Sequence, residues 1–167
     1  CVEKLKALQP KQILDVATGT GDFAITCAKL NPEKIIGIDI SEGMMKFGRK
    51  KIKKLNLDKL IELQLGDAET VDFPDNSFDA IVVGFGVRNF ENLEKGLTNL
   101  KRVLKPGGKI VILEFSYPRD FPVKQLYNFY FTYWTPFIGK IFSKDTRAYS
   151  YLQESVKAFP NNENFVA

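Results

Sequence analysis

The chain has 167 residues, 44% of them apolar and 26% charged, with 12 glycines and 8 prolines, which fits one globular domain and excludes disordered, collagen-like and coiled-coil chains. Its 24 basic and 20 acidic residues leave a net charge of +4, a mild excess carried mostly by lysine that gives no reason to expect nucleic-acid binding. With no histidine and only Cys1 and Cys27, a zinc centre, a serine-histidine hydrolase and a disulfide framework are excluded. Ile13 to Ala17 reads as a short buried strand, followed by the turn Thr18-Gly19-Thr20-Gly21 and a helical stretch from Asp22 to about Leu30. Lys34 to Asp39 is a second strand. Ser41 then caps a helix carrying Met44, Met45, Phe47 and Ile52 at helical spacing, and Asn56-Leu57-Asp58 ends it. The basic run Arg49 to Lys54 falls at that helix's end, where cations complement the dipole.

Leu60 to Leu65 gives a third strand, Asp67 to Ser77 a polar loop, Phe78 to Phe85 an apolar fourth strand, and Leu93 to Leu104 a helix. Lys105-Pro106-Gly107-Gly108 breaks that helix, and Lys109 to Phe115 makes a fifth strand. This alternation predicts an α/β fold in which helices cover a parallel sheet. Beyond Pro118 the composition changes: Phe121 to Phe142 holds nine aromatics, and residues 119–148 read as an aromatic helical insertion after the fifth strand. Tyr149 to Phe159 reads as one more helix.

In an open parallel sheet, ligands bind beyond the carboxyl ends of the strands where strand order reverses. The first turn delivers Gly19 and Gly21 there, and both let a ligand approach the backbone. Asp39 ends the second strand 18 positions after Gly21, placed to accept from both hydroxyls of a ribose, and Ile40 belongs to the same site. Gly19-x-Gly21-x-x-Ala24 fits a nicotinamide dinucleotide as well as S-adenosylmethionine. Charge separates the two. Asp15 and Asp22, read as two carboxylates aimed at one spot, repel a pyrophosphate and welcome an ammonium and a sulfonium. Against this, Asp22 serves equally as a helix-dipole acid and Asp15 as a turn-stabilising carboxylate. Asp67-Ala68, after the third strand, is placed to accept from an adenine amino group. Met44 is a cover for sugar or base, or else core.

Several blocks carry a family resemblance. Asp15-Val-Ala-Thr-Gly-Thr-Gly-Asp22, Gly66-Asp-Ala-Glu69, Phe73-Pro-Asp-Asn-Ser-Phe-Asp79, Gly84-Phe-Gly-Val-Arg-Asn89 and Arg102-Val-Leu-Lys-Pro-Gly-Gly108 together resemble the ubiquinone/menaquinone biosynthesis C-methyltransferases, the UbiE/MenG family, over nearly the whole chain. Phe85-Gly-Val-Arg-Asn89, Leu113-Glu-Phe-Ser116 and Tyr149-Ser-Tyr-Leu-Gln-Glu-Ser155 are the narrower blocks. The resemblance implies a three-layer, Rossmann-like class I methyltransferase sheet of strand order 3-2-1-4-5. It also implies methyl transfer from S-adenosylmethionine to a ring carbon of a prenylated quinol such as demethylmenaquinol, with cofactor contacts on Thr20, Asp39, Asp67 and Ala68. Where the family often has a serine on the cofactor this chain has Gly84, which leaves backbone alone to act. Family members carry a helical segment before the first strand and a helix plus two hairpin strands after the last helix seen here, so residues 1–167 read as a single domain truncated at both ends.

A ring carbon attacks a methyl sulfonium once a neighbouring hydroxyl ionises. Arg88, expected to face the crevice, stabilises the phenolate, and Asn89 orients the ring oxygen or a water. The alternative is that Arg88 merely pairs with Glu91 or Glu114. Tyr127, Phe129, Tyr130, Phe131, Tyr133, Trp134 and Phe137 are a candidate wall for the prenyl tail or else core packing, and Lys124, Lys140 and Lys144 suit an anionic membrane surface. No apolar run approaches the roughly 20 residues of a spanning helix. Cys1-Val2-Glu3-Lys4 does not open like a signal peptide, so a cytoplasmic protein with peripheral membrane contact is expected. A non-catalytic fragment that binds the cofactor or a membrane assembly is the rival reading. A nucleic-acid methyltransferase is disfavoured because Gly84-Phe-Gly-Val-Arg-Asn89 stands where an Asn-Pro-Pro-aromatic motif belongs.

Overall fold

Apolar runs without polar alternation form the middle of a sheet covered on both faces. β1 (Gln12–Val16) and β4 (Phe78–Gly84) are such runs, and both are buried along most of their length. They lie side by side at the centre of five strands ordered β3-β2-β1-β4-β5, with β2 (Lys34–Asp39), β3 (Ile61–Leu65) and β5 (Leu104–Leu113) completing the sheet. Every pairing is parallel. The predicted strand order is therefore observed. The computed structural model describes residues 1–115, 121–122, 125 and 155–156. Two compact units are distinguished in the chain, Cys1–Glu114 and Phe115–Ala167. All five strands belong to the first.

Helix positions follow from capping and spacing. Ser41 caps α2 (Glu42–Lys54) by accepting from Met44 N at 3.4 Å, and Met45, Gly48 and Ile52 supply its buried stripe. Asn92 caps α3 (Leu93–Val103) by accepting from Lys95 N at 3.0 Å, with Gly96, Leu100 and Val103 buried. α1 (Asp22–Cys27) is shorter than predicted, because the chain tightens into a 3-10 turn over Ala28–Leu30 and stops at Asn31 in the left-handed region. The buried residues of α1 and α2 meet the sheet in a core that includes Ile13, Ile35, Met45, Leu63 and Val82, while Leu100 and Val103 of α3 are buried apart from it. Each such side chain contributes about 1.5–3 kcal/mol by leaving water.

Two further elements differ from expectation. Val2–Leu8 is a 3-10 helix whose Leu5 is fully buried. β5 begins at Leu104 rather than Lys109, because Phe78 pairs with Leu104 while Ala80 pairs with Lys109, so Lys105-Pro106-Gly107-Gly108 is a bulge inside the strand. Most of the aromatic insertion, the aromatic wall, Lys124, Lys140, Lys144 and the helix expected over Tyr149–Phe159 lie outside the described residues, apart from Ser155 and Val156, which are helical.

Candidate functional site

Strand order reverses between β1 and β4, since β1 runs on to β2 on one side while β4 runs to β5 on the other. Beyond their carboxyl ends opens a cleft of about 630 Å³. Gly19, Thr20, Asp39, Ile40, Met44, Asp67, Ala68, Gly84 and Asn89, all anticipated from sequence, lie together in its wall. Gly19 has a φ of 55°, and a Cβ there would come within 3.0 Å of Met44 Cε, so glycine leaves the backbone bare at the cleft. Gly21 has a different reason. It caps α1 with a φ of 76°, and a Cβ there would meet Ile52 at 3.3 Å and then Leu63, so it secures helix-to-sheet packing and lies outside the cleft wall.

Asp39 is 9% exposed, and its carboxylate ties two loops: Oδ2 accepts from Gly19 N at 2.7 Å and Oδ1 from Ser41 N at 2.8 Å. A carboxylate has about four lone-pair sites, so each oxygen retains one for a ligand. Asp67 holds the opposite lip, its Oδ1 accepting from Glu69 N at 2.9 Å to start a short 3-10 turn over Ala68–Thr70.

The two loop acids behave unlike the expectation. Asp22 is matched by a cation of its own, Lys51, whose Nζ donates to Oδ1 and Oδ2 at 2.7 and 2.8 Å, while Thr20 donates to Oδ2 at 2.6 Å. Those bonds hold its carboxyl below the usual range. Asp15 is 1% exposed; its Oδ2 accepts from Thr18 Oγ1 at 2.6 Å and Ala24 N at 3.0 Å. Its Oδ1 is buried without a partner. Both acids line a smaller recess of about 270 Å³ that shares Ala17, Thr18, Gly84 and Phe85 with the main cleft. Neither presents an unopposed charge to the cleft.

Burial pushes the Asp15 carboxyl up to about 7, although the bonds from Thr18 and Ala24 pull the other way. The folded chain therefore keeps a proton there that the unfolded chain sheds near 3.8. Stability from this group is complete below that value and is lost as pH climbs to about 7. Thermal melts should accordingly separate wild type from Asp15→Asn progressively between about pH 4 and 7 in the direction of wild-type loss. A constant difference across that range would contradict the assignment.

Arg88 and Asn89 part company. Asn89 lines the cleft, but the Arg88 guanidinium pairs with Glu114 and is absent from the cleft wall. Gly84 is bare because Phe23 fills its space: a Cβ would stand 2.9 Å from that ring. Glu69 and Glu91 in the wall were not anticipated as site residues: Glu69 follows Asp67 by two positions and was read only as part of a family block, while Glu91 reaches the wall through the fold. Among the described residues the cleft wall thus carries four acidic residues and no lysine or arginine. Among the described residues no three acidic or sulfur groups converge to hold a metal ion. Such a field favours an organic cation and opposes a diphosphate.

Comparisons with known proteins agree with this geometry. A family model described as the ubiE/COQ5 methyltransferase family matches residues 1–167. A demethylmenaquinone methyltransferase from Bacteroides fragilis is 54% identical over 160 residues, 95% of this chain and 65% of that protein. The ubiquinone/menaquinone biosynthesis C-methyltransferase UbiE of Geobacter sulfurreducens is 45% identical over 158 residues, 93% of this chain and 61% of that protein. The chain spans a little under two thirds of the length of both. A crystal structure of a SAM dependent methyltransferase from Aquifex aeolicus superposes with a TM-score of 0.62 at 29% identity, covering 72% of this chain and 66% of that one.

Proposed function

The chain belongs to the ubiE/COQ5 methyltransferase family, and on that premise we propose that it methylates a ring carbon of a prenylated quinol, demethylmenaquinol, using S-adenosylmethionine. The observation that carries this reading is the cleft at the strand-order reversal, whose wall among the described residues holds four acidic residues and no cation. The residues present fit the cofactor on a second ground: Asp15 Oδ1 is buried without a partner in the adjoining recess, and an ammonium group there supplies the donor that lets this carboxyl release its proton and stay charged. When bound, the cofactor supplies an electrophilic methyl group on a sulfonium.

The chain's own residues then have distinct tasks. Asp39 offers its two remaining lone pairs to the ribose hydroxyls, while Gly19 N and Ser41 N hold it in place. Asp67 accepts from the adenine amino group over Ala68, and Ile40 and Met44 cover the base and sugar from the β2–α2 side. Asn89 orients the acceptor's ring oxygen. At Gly84 the Phe23 ring fills the side-chain position, so only backbone can act toward a ligand there. Arg88 is engaged by Glu114, so its charge reaches the acceptor only as one half of an ion pair. A prenylated acceptor resides in a bilayer, which puts the protein at the cytoplasmic face of a membrane. Among the described residues no helix is long and apolar enough to cross one.

Incubation of the chain with S-adenosylmethionine and a short-chain demethylmenaquinol should yield the ring-methylated quinone by mass spectrometry. Binding of the cofactor without any methylated product would reject the activity, and tighter binding of NADH than of S-adenosylmethionine would reject the cofactor.

A further inference from the structure

The loop after β4 enters the cleft under tension. Phe85 has a φ of 57°, a conformation that a bulky side chain adopts only where its surroundings impose it. Phe85, Gly86 and Asn89 from this loop line the cleft, whereas Arg88 between them turns away. Arg88 and Glu114 meet out of water, their side chains 10% and 6% exposed. Each oxygen of Glu114 accepts from Arg88. The Arg88 guanidinium donates to Oε1, and Arg88 N donates to Oε2 at 3.3 Å. The same guanidinium donates to Phe85 O at 2.9 Å, Phe85 N donates to Leu113 O at 2.7 Å, and Asn89 N donates to Gly86 O at 2.9 Å. Arg88 thus closes the loop on itself, and the end of β5 grips it at two consecutive residues, Leu113 and Glu114.

From this geometry we infer that Glu114 is a positioning residue for methyl transfer: it clasps Arg88 by side chain and backbone together and so fixes the loop that presents Asn89 and Phe85 to the cleft. The inference rests on the methyltransfer reading for its consequence, though not for the clasp itself. A carboxylate suits the task because it meets two N–H donors with two acceptors. Glutamine offers one acceptor and one donor to the same pair, which turns one of the contacts into a repulsion. Aspartate keeps both acceptors on a shorter stem. Arg88 is on this account a part of the clasp, and the acceptor's ring oxygen meets Asn89.

The test uses the whole chain in three forms, wild type, Glu114→Gln and Glu114→Asp, and reads amide hydrogen exchange, cofactor affinity and turnover. In Glu114→Gln the amides of Phe85, Arg88 and Asn89 should exchange at least about tenfold faster, with β1 and α2 unchanged. Turnover of a short-chain demethylmenaquinol should fall about tenfold, with S-adenosylmethionine affinity held within about twofold. Glu114→Asp should restore part of both losses. Unchanged exchange at those three amides, or cofactor affinity and turnover falling in equal proportion, would overturn the assignment. If Glu114→Gln does not fold, Arg88→Met carries the test, since it removes the one nitrogen that donates to both Glu114 and Phe85 O; unchanged exchange there overturns the clasp equally. A wild-type chain without turnover would reject methyl transfer, and the exchange readout would still decide for or against the clasp.

Discussion

Asp39→Ala should lower the affinity for S-adenosylmethionine about a hundredfold by titration calorimetry, a loss of about 2.7 kcal/mol. Hydrogen bonds to a charged acceptor are worth about 1.5–3 kcal/mol each, and Asp39 offers two free lone pairs to the cleft. The same substitution leaves Gly19 N and Ser41 N without their acceptor, so the glycine turn and the start of α2 lose the group that holds them beside each other. One of the four carboxylates in the wall also disappears, which weakens attraction of a cation at low salt. Asp39→Asn should lose nearly as much, because its amide must turn a donor toward Gly19 N or Ser41 N. The fold should persist, since Asp39 pairs with Leu65 at the very end of β2 and the core lies below it. Unchanged cofactor affinity in a folded Asp39→Ala protein would remove the residue from the site.

Which parts of this site were readable in advance follows from their physics. β1, β2 and β4 were legible because uninterrupted apolar runs end at glycine or acidic turns, and the strand ends are where an open parallel sheet binds ligands. Gly19, Asp39 and Asp67 were placed there by that rule together with the glycine turn and the spacing of the acids, and Asn89 by the family resemblance. The charge argument was legible only in outline. Asp22 looked like an unopposed acid because its partner Lys51 stands 29 residues away, and no local pattern announces the pairing. Asp15 looked charged because sequence does not reveal that its carboxylate is wholly buried. The acidic residues that line the cleft are instead Asp39, Asp67, Glu69 and Glu91. Leu5 gave no helical signal, since its burial depends on the sheet above it, and Pro106-Gly107-Gly108 reads as a break whether it ends a helix or bulges a strand.

The largest loss of stability is expected from Gly86→Ala, where a Cβ would stand 2.3 Å from Ala17 Cβ and 3.5 Å from Val83. Neither neighbour is the far end of a flexible side chain, so the loops after β1 and β4 must separate. Overpacking of this kind costs about 1–3 kcal/mol, and denaturant titration should return a value near the top of that range. Ala17 is itself in the left-handed region, with a φ of 54°, where a Cβ costs about 1–2 kcal/mol. Ala17→Gly removes that cost and the clashing atom together, while adding entropy to the unfolded chain, so alone it should change stability by less than about 1 kcal/mol. Combined with Gly86→Ala it should recover most of the loss, a coupling of about 2 kcal/mol within the range for residues in direct contact. Additivity within about 0.5 kcal/mol would show that the two positions do not press on each other. Because Ala17 and Gly86 both line the cleft, cofactor affinity should fall in the single Gly86→Ala variant and return in the double one, which ties the spacing of the two central strands to the shape of the site.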